Sequence, residues 1–312
     1  MMKNSILSYV VILFSFQSIG QELLNVSNTL YLHNPAITGI KADLNFVGQY
    51  FNSGTIFYGD DEKYSGYFDN YRFGVDGRIP LFRNIKQVNL AAGFAYERDN
   101  FGVVTENNWT FSLANHFNFK GGSKFSVGLG YTNHRLFFDN TYAVFPSENS
   151  FDPSIAPDYQ FIHNRFSAGS LFESSDRTFI VGIGASSETQ NQFNYKRINL
   201  TLGRLISFGR NMAVSVNTFN EYRFREQIWL FEVPVKLHFK KVFYVGTSLA
   251  RRQYFSVLAG GRVNLNKAGM VELGAGYVEP ASQLTTGFGR GFQVNVNYFF
   301  TNPEKNESFS YF

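Results

Sequence analysis

Along most of this chain the hydrophobic positions recur at every second residue, the period of a strand with one apolar face and one polar or small face. The rhythm is most regular in the C-terminal half. From Gly291 to Phe300, the residues Phe292, Val294, Val296, Tyr298 and Phe300 share one face and Gln293, Asn295 and Asn297 the other. From Ile228 to Phe239 the apolar face is Trp229, Phe231, Val233, Val235, Leu237 and Phe239, opposed by Glu232, Lys236 and His238. The same alternation runs through Val271, Leu273, Ala275 and Tyr277, through Met212, Val214 and Val216, and through Ile198, Leu200 and Leu202. Upstream it returns in Phe125, Val127, Leu129 and Tyr131 and in Tyr71, Phe73, Val75 and Ile79. The pattern predicts fourteen strands, near residues 46, 75, 92, 112, 128, 169, 182, 200, 215, 233, 246, 257, 274 and 295. Pro234 removes a ladder donor from one of them, so a bulge is expected there.

Fourteen is an even number, as single-chain outer-membrane barrels of bacteria require. It leaves about 21 residues for each strand with its connection, enough for the ~9–11 residues of a tilted membrane strand. With both termini periplasmic, the odd-numbered connections lie outside and are expected to be the long ones: 51–64, 97–106, 133–165, 187–195, 220–227 and 278–290. The even ones, 82–87, 120–124, 173–177, 207–211, 240–241 and 265–269, are short, and 250–253 is the one poor fit. A secreted β-sandwich or propeller would also alternate, but it has no reason to segregate loop lengths. The expected fold is therefore all-β: a transmembrane outer-membrane antiparallel barrel of about 14 strands with a short N-terminal plug-like segment. Aromatics near strand ends, Phe239, Phe243, Tyr277, Tyr298, Phe299 and Phe300, suit interfacial girdles.

Composition sharpens this. The chain carries 36 Phe, 18 Tyr, 28 Gly and only 17% charged residues, and it has no Cys. Without cysteine there is no disulfide framework, thiolate metal site, thiol nucleophile or acylated lipoprotein anchor. Ile6 to Phe16 is an uncharged apolar run too short to span a bilayer, and Ser18-Ile19-Gly20 supplies small residues for a signal peptidase. The expected organisation is a signal peptide over 1–20 with cleavage before Gln21, a lead-in or plug over 21–40, a barrel over 41–300 and a tail over 301–312. The expected location is the bacterial outer membrane. The net charge is +4, or +3 once Lys3 leaves with the signal, and no basic run interleaves with stacking positions, so nucleic acid is not a partner.

Candidate chemistry is sparse. His33, His116, His134, His163 and His238 have no second ligand at metal spacing in the sequence, and HExxH, GxSxG, phosphate-loop and GxGxxG patterns are absent. Gly128-Leu129-Gly130 and Gly182-Ile183-Gly184 read as strand glycines. Asp60-Asp61-Glu62 offers oxygen ligands for Ca²⁺ but reads as solvated loop charge. No catalytic residue, cofactor or metal is assigned and the chain is not read as an enzyme; an outer-membrane enzyme would have to use His134 and His163, on expected loops. The alternation puts Arg72, Asp76, Arg78, Arg197, Glu232, Lys236 and Glu272 on the lumen face, where mixed signs point to salt bridging across the interior rather than ion selection. The segment 21–40 either enters the lumen as a plug or leads into the barrel, and 147–163, with Pro153 and Pro157, is the kind of long external loop that carries recognition.

Leu30-Tyr31-Leu32-His33-Asn34-Pro35-Ala36-Ile37-Thr38-Gly39, close after the expected cleavage site, resembles the opening motif of the PorP/SprF family of Bacteroidota outer-membrane proteins, with Ile37 where that family usually has an aromatic. Asn164 to Gly184 looks like that family's strand, Asp-Arg turn and strand, and Val242 to Gly261 like its paired hairpin. The resemblance implies a barrel of the type IX secretion system that is not an enzyme. Its implied partners are outer-membrane lipid, other secretion components, and a large cell-surface protein, such as a gliding adhesin, bearing a C-terminal targeting domain. It carries Asn34, Pro35, Ala36 and Gly39 over as a signature with a structural role. A diffusion channel or hydrophobic-solute transporter is the alternative.

Overall fold

The computed structural model describes residues 32–58, 63–79, 88–101, 104–138, 159–190, 193–209, 211–240, 242–250, 254–265, 268–280 and 290–300. The expected signal peptide, the acidic triplet 60–62, the external segment up to 158 and the C-terminal tail lie outside these residues. Among the described residues, fourteen strands follow a 3-10 turn at Pro35–Ile37: β1 (Leu44–Tyr58), β2 (Lys63–Arg78), β3 (Val88–Phe101), β4 (Val104–Asn118), β5 (Lys124–Phe138), β6 (Tyr159–Glu173), β7 (Phe179–Gln190), β8 (Phe193–Phe208), β9 (Met212–Arg223), β10 (Ile228–Phe239), β11 (Phe243–Ala250), β12 (Tyr254–Asn264), β13 (Met270–Pro280) and β14 (Gly291–Phe300). Each pairs antiparallel with its neighbours in sequence, and β1 closes the barrel against β14 from Leu44↔Phe300 to Ser53↔Gly291. Each of the fourteen expected positions falls within one strand, in order.

The two faces decide between barrel and sandwich. On β14, Phe292 (68% exposed), Val294, Val296 and Phe300 stand outward while Gln293, Asn295 and Asn297 are buried. On β10, Trp229 is exposed and Glu232, Lys236 and His238 are buried. A soluble sandwich would bury the apolar set; here it forms the outer surface, and the closed ladder leaves no strand edge for hydrocarbon to contact. From Phe292 to Phe300 the apolar face spans roughly 20–25 Å at ~3.3 Å per residue and ~40° tilt, close to the lipid-facing band of such barrels. Among the described residues no helix is long and apolar enough to cross a membrane.

An outward aromatic row marks the end of the barrel distal to the termini: Tyr50 with Tyr71, Tyr96 with Trp109, Tyr131 with Phe166, Tyr222 with Trp229 and Tyr277 with Phe292, ring centroids 4.5–5.8 Å apart. Beyond it the outward residues turn polar. Tyr96 donates to Asn107 Oδ1 at 2.7 Å and Tyr131 to Asn164 Oδ1 at 2.7 Å, and Arg98 and Arg135 pair with Asn100 and Asn133 on their own strands.

Four expectations are corrected. The long distal connections are largely strand: 97–106 is β3 and β4 but for two residues, and 187–195 is β7 and β8 but for two. Strands of up to 16 residues continue past the bilayer, and there both faces carry polar side chains, so the sequence reads as loop. At the proximal end β2 stops at Arg78 and β3 begins at Val88, so the connection expected at 82–87 is longer than the short class. Pro234 makes no bulge: the register with β9 is the same on both sides of it, Glu232↔Phe219 and Val235↔Val216, and the ladder skips two residues without inserting one. Phe299 is not a girdle residue. It is 6% exposed and faces inward against Ala42 and Met270, because inward parity on β14 falls on odd numbers.

Candidate functional site in the barrel lumen

The turn 34–39 ahead of β1 sits inside the barrel, and its sequence specifies its shape. Asn34 has extended backbone (φ −133°) and caps the 3-10 turn, its Oδ1 accepting from Ala36 N at 3.0 Å. Pro35 stands at the first position of the turn, where its fixed φ suits a turn start and no N–H is needed. Ile37 N and Thr38 N donate to Asn34 O and Pro35 O at 3.1 and 3.2 Å. Gly39 then takes φ +69°, and a Cβ there would collide with Ala91 of β3, so the position excludes other residues on both counts. The four signature residues are thus a cap, a turn start, a small residue and a left-handed stop.

The wall is cut to receive this turn. A Cβ on Gly128 of β5 would strike the Pro35–Ala36 peptide, and one on Gly169 of β6 would strike Asn34 Oδ1. Gly93, Gly182 and Gly184 line the same seat. The strand glycines of the sequence therefore have a specific occupant. Asn34, Ala36 and Thr38 are 0% exposed. Asn34 Nδ2 donates to Ser170 O at 3.1 Å and Ile183 O at 3.4 Å, Asn199 Nδ2 to His33 O at 2.8 Å, and Thr38 Oγ1 to Ser112 Oγ at 2.8 Å. His116 bridges wall and plug, with Nε2 2.8 Å from Thr38 O and Nδ1 2.7 Å from Ser126 Oγ. Ala36 and Ile37 join a buried apolar cluster with Leu171 and Phe219.

Two of the expected lumen charges belong to this seat. Asp76 accepts from Gly39 N at 2.5 Å and Asn45 Nδ2 at 2.8 Å, and Arg78 reaches Gly39 O at 3.3 Å and Asp43 at 3.5 Å. The remaining five lie along the wall, where three form ion pairs with neighbouring strands rather than across the interior. Arg72 pairs with Glu97, Arg197 with Glu188 at 3.4 Å, and Glu272 with Arg262 at 2.6 Å. Glu232 accepts from Ser248 at 2.5 Å, and Lys236 lies 5.4 Å from the Tyr244 ring centroid.

Sequence reasoning did not bring out Ser112, His116 and Asn199, inward partners of the plug whose polar face was legible but whose target was not. Nor did it join His134 and His163. These are strand residues rather than loop residues; they face inward as a cross-strand pair, with Glu188 of β7 beside them. The spacing of the three in sequence is arbitrary, and only the register assembles them.

Residues 24–298 match the family described as type IX secretion system membrane protein PorP/SprF. No curated protein matches the chain. Among solved structures, the deltaS2 mutant of the TodX monoaromatic hydrocarbon channel superimposes with a TM-score of 0.53 at 10% identity, over 87% of this chain and 92% of its own. The TodX deltaS2S3 mutant gives 0.53 at 9% identity over the same shares. Acinetobacter baumannii Omp33 gives 0.48 at 12% identity, over 84% of this chain and 100% of its own. The two TodX likenesses are of fold alone, that of a β-barrel. The match over nearly the whole barrel makes this chain a member of the PorP/SprF family of type IX secretion system membrane proteins.

Proposed function

We propose that this barrel is an outer-membrane accessory of type IX secretion that supports the secretion and surface retention of one large cell-surface protein, such as a gliding adhesin with a C-terminal targeting domain. The observation that carries the reading is the turn 34–39 seated inside the lumen, with hydrogen bonds to four strands of the wall. A barrel whose interior is given to its own chain is suited to holding a partner at its distal end, not to conducting solute. The distal strands supply a polar rim for that purpose, and other secretion components are the natural neighbours of such an anchor. Deleting the gene and scoring surface proteins tests it: one adhesin or a small set should be lost from the surface while general secretion continues. If every adhesin stays secreted and attached, the reading fails. Large, stable single-channel openings of the purified protein would favour a hydrophobic-solute or diffusion channel instead.

A further inference from the structure

The distal half of the lumen holds a cluster that the plug does not use. His134 of β5 and His163 of β6 are directly paired across the strands, with rings stacked at 4.7 Å between centroids and 11° between planes. Glu188 of β7 places Oε1 3.0 Å from His163 Nε2. One ligand atom from each of the three lies within 4.8 Å of the others. Glu106 of β4 stands 3.2 Å from His134 Nδ1. With the proton on that nitrogen, an assignment inferred from the carboxylate contact, His134 Nε2 is left as a lone pair. Nε2 is buried without a hydrogen-bond partner among the described residues, and so is His163 Nδ1.

A carboxylate on the far nitrogen of a histidine is the arrangement that orients metal ligands, and two imidazoles with one carboxylate suit zinc-class ions rather than Mg²⁺ or Ca²⁺. We propose that His134, His163 and Glu188 bind one divalent transition metal, through one ring nitrogen of each histidine and one carboxylate oxygen, with Glu106 as positioning residue. Tetrahedral zinc with ~2.0–2.1 Å bonds sets its ligand atoms ~3.3 Å apart. The His163 and Glu188 atoms already stand near that distance, and tilting the stacked rings brings in the third. Arg197, 3.4 Å from Glu188 Oε2, and Arg165, its cross-strand neighbour, oppose a cation there, while Glu106 favours one. The site's consequence is mechanical. β5 and β6 lead into and out of the connection 139–158, and the metal would tie the base of that connection to β7.

The test uses the full chain in detergent, carrying a tag without histidine, stripped by chelator and titrated with ZnCl₂ by calorimetry, with metal content measured by mass spectrometry. One Zn²⁺ per chain is expected, with binding weakened at least tenfold by His134→Gln or His163→Gln and abolished by the pair. Heat-modifiable migration on a gel verifies that each variant is a closed barrel, and His238→Gln should bind as the wild type does. Co²⁺ should give the absorption of a tetrahedral site in the wild type and lose it in Glu188→Gln, a readout that does not depend on the histidine variants folding. Less than one Zn²⁺ per folded wild-type chain, or zinc retained by the double variant, would overturn the proposal.

Discussion

Asn34 is the residue on which the lumen segment turns. Its amide caps the 3-10 turn with one end and binds two wall carbonyls with the other. Truncation leaves those buried groups unpaired, at about 1–3 kcal/mol. Asn34→Ala should therefore weaken seating roughly 5- to 150-fold, read as faster protease cleavage of the N-terminal segment in a barrel that still migrates as closed. Another single residue controls the proximal hairpin of β6 and β7. Asp176 is exposed and accepts from Ser174 Oγ, Thr178 Oγ1 and Thr178 N. Hydrogen bonds from Ser174, then Thr178, hold its carboxyl below the ordinary value of 3.8. Because the folded value is the lower one, the contribution is present above the ordinary value and is lost as the pH falls through the folded one. Asp176→Asn should lower the unfolding midpoint slightly at neutral pH and flatten its acid limb, so that variant and wild type converge at low pH. At this scale the sequence was readable where chemistry is local. The Asp-Arg pair reads as a turn and the glycines as strand positions, whereas His116 and Asn199 became partners of the plug only through contacts 78 and 166 residues apart.

The strand is the element at which the fold was most legible. A period of two with apolar residues on one face predicts a half-solvated strand whether its apolar side meets a core or a lipid, and the burial pattern of β9 and β14 follows it residue by residue. The outward face carries a direct prediction. Leu129 of β5 is 67% exposed in the midst of the apolar band, so Leu129→Arg should destabilise the barrel by about 2–4 kcal/mol in vesicles, measured by denaturant unfolding. Leu129→Ile should be nearly neutral. What escaped the reading was the strand ends. Where Glu97, Arg98, Asp99 and Asn100 leave the membrane, both faces become polar and the lipid-imposed alternation stops, but the hydrogen-bonded ladder does not. Pro234 escaped for a related reason. A ladder shared with two neighbours tolerates two skipped pairs on one side, because Pro234 stays paired with Ser248 on the other.

For the whole molecule, the lumen is the place where the sequence held the parts but not their arrangement. The signature Asn34 to Gly39, the strand glycines and the charges Asp76 and Arg78 were each visible, and only closure of the sheet shows that they are one assembly. Removing residues 21–43 should leave a barrel, since the ladder from β1 to β14 does not pass through that segment, but one with a larger and steadier conductance than the full chain in planar bilayers. No change in conductance would mean that the segment does not govern passage through the lumen.

That seating also bears on the order of events during assembly. The bonds from Asn34 reach 136 and 149 residues along the chain, so the seat does not exist until β4 to β7 have been laid side by side. A contact of such separation gains nothing early and is formed late. Because the segment is continuous with β1 at the proximal end, it can enter a cylinder that is already closed. The N-terminus then acts as a latch that reports completion: time-resolved protease protection of the segment should lag behind heat-modifiable closure, and protection that came first would reverse the order.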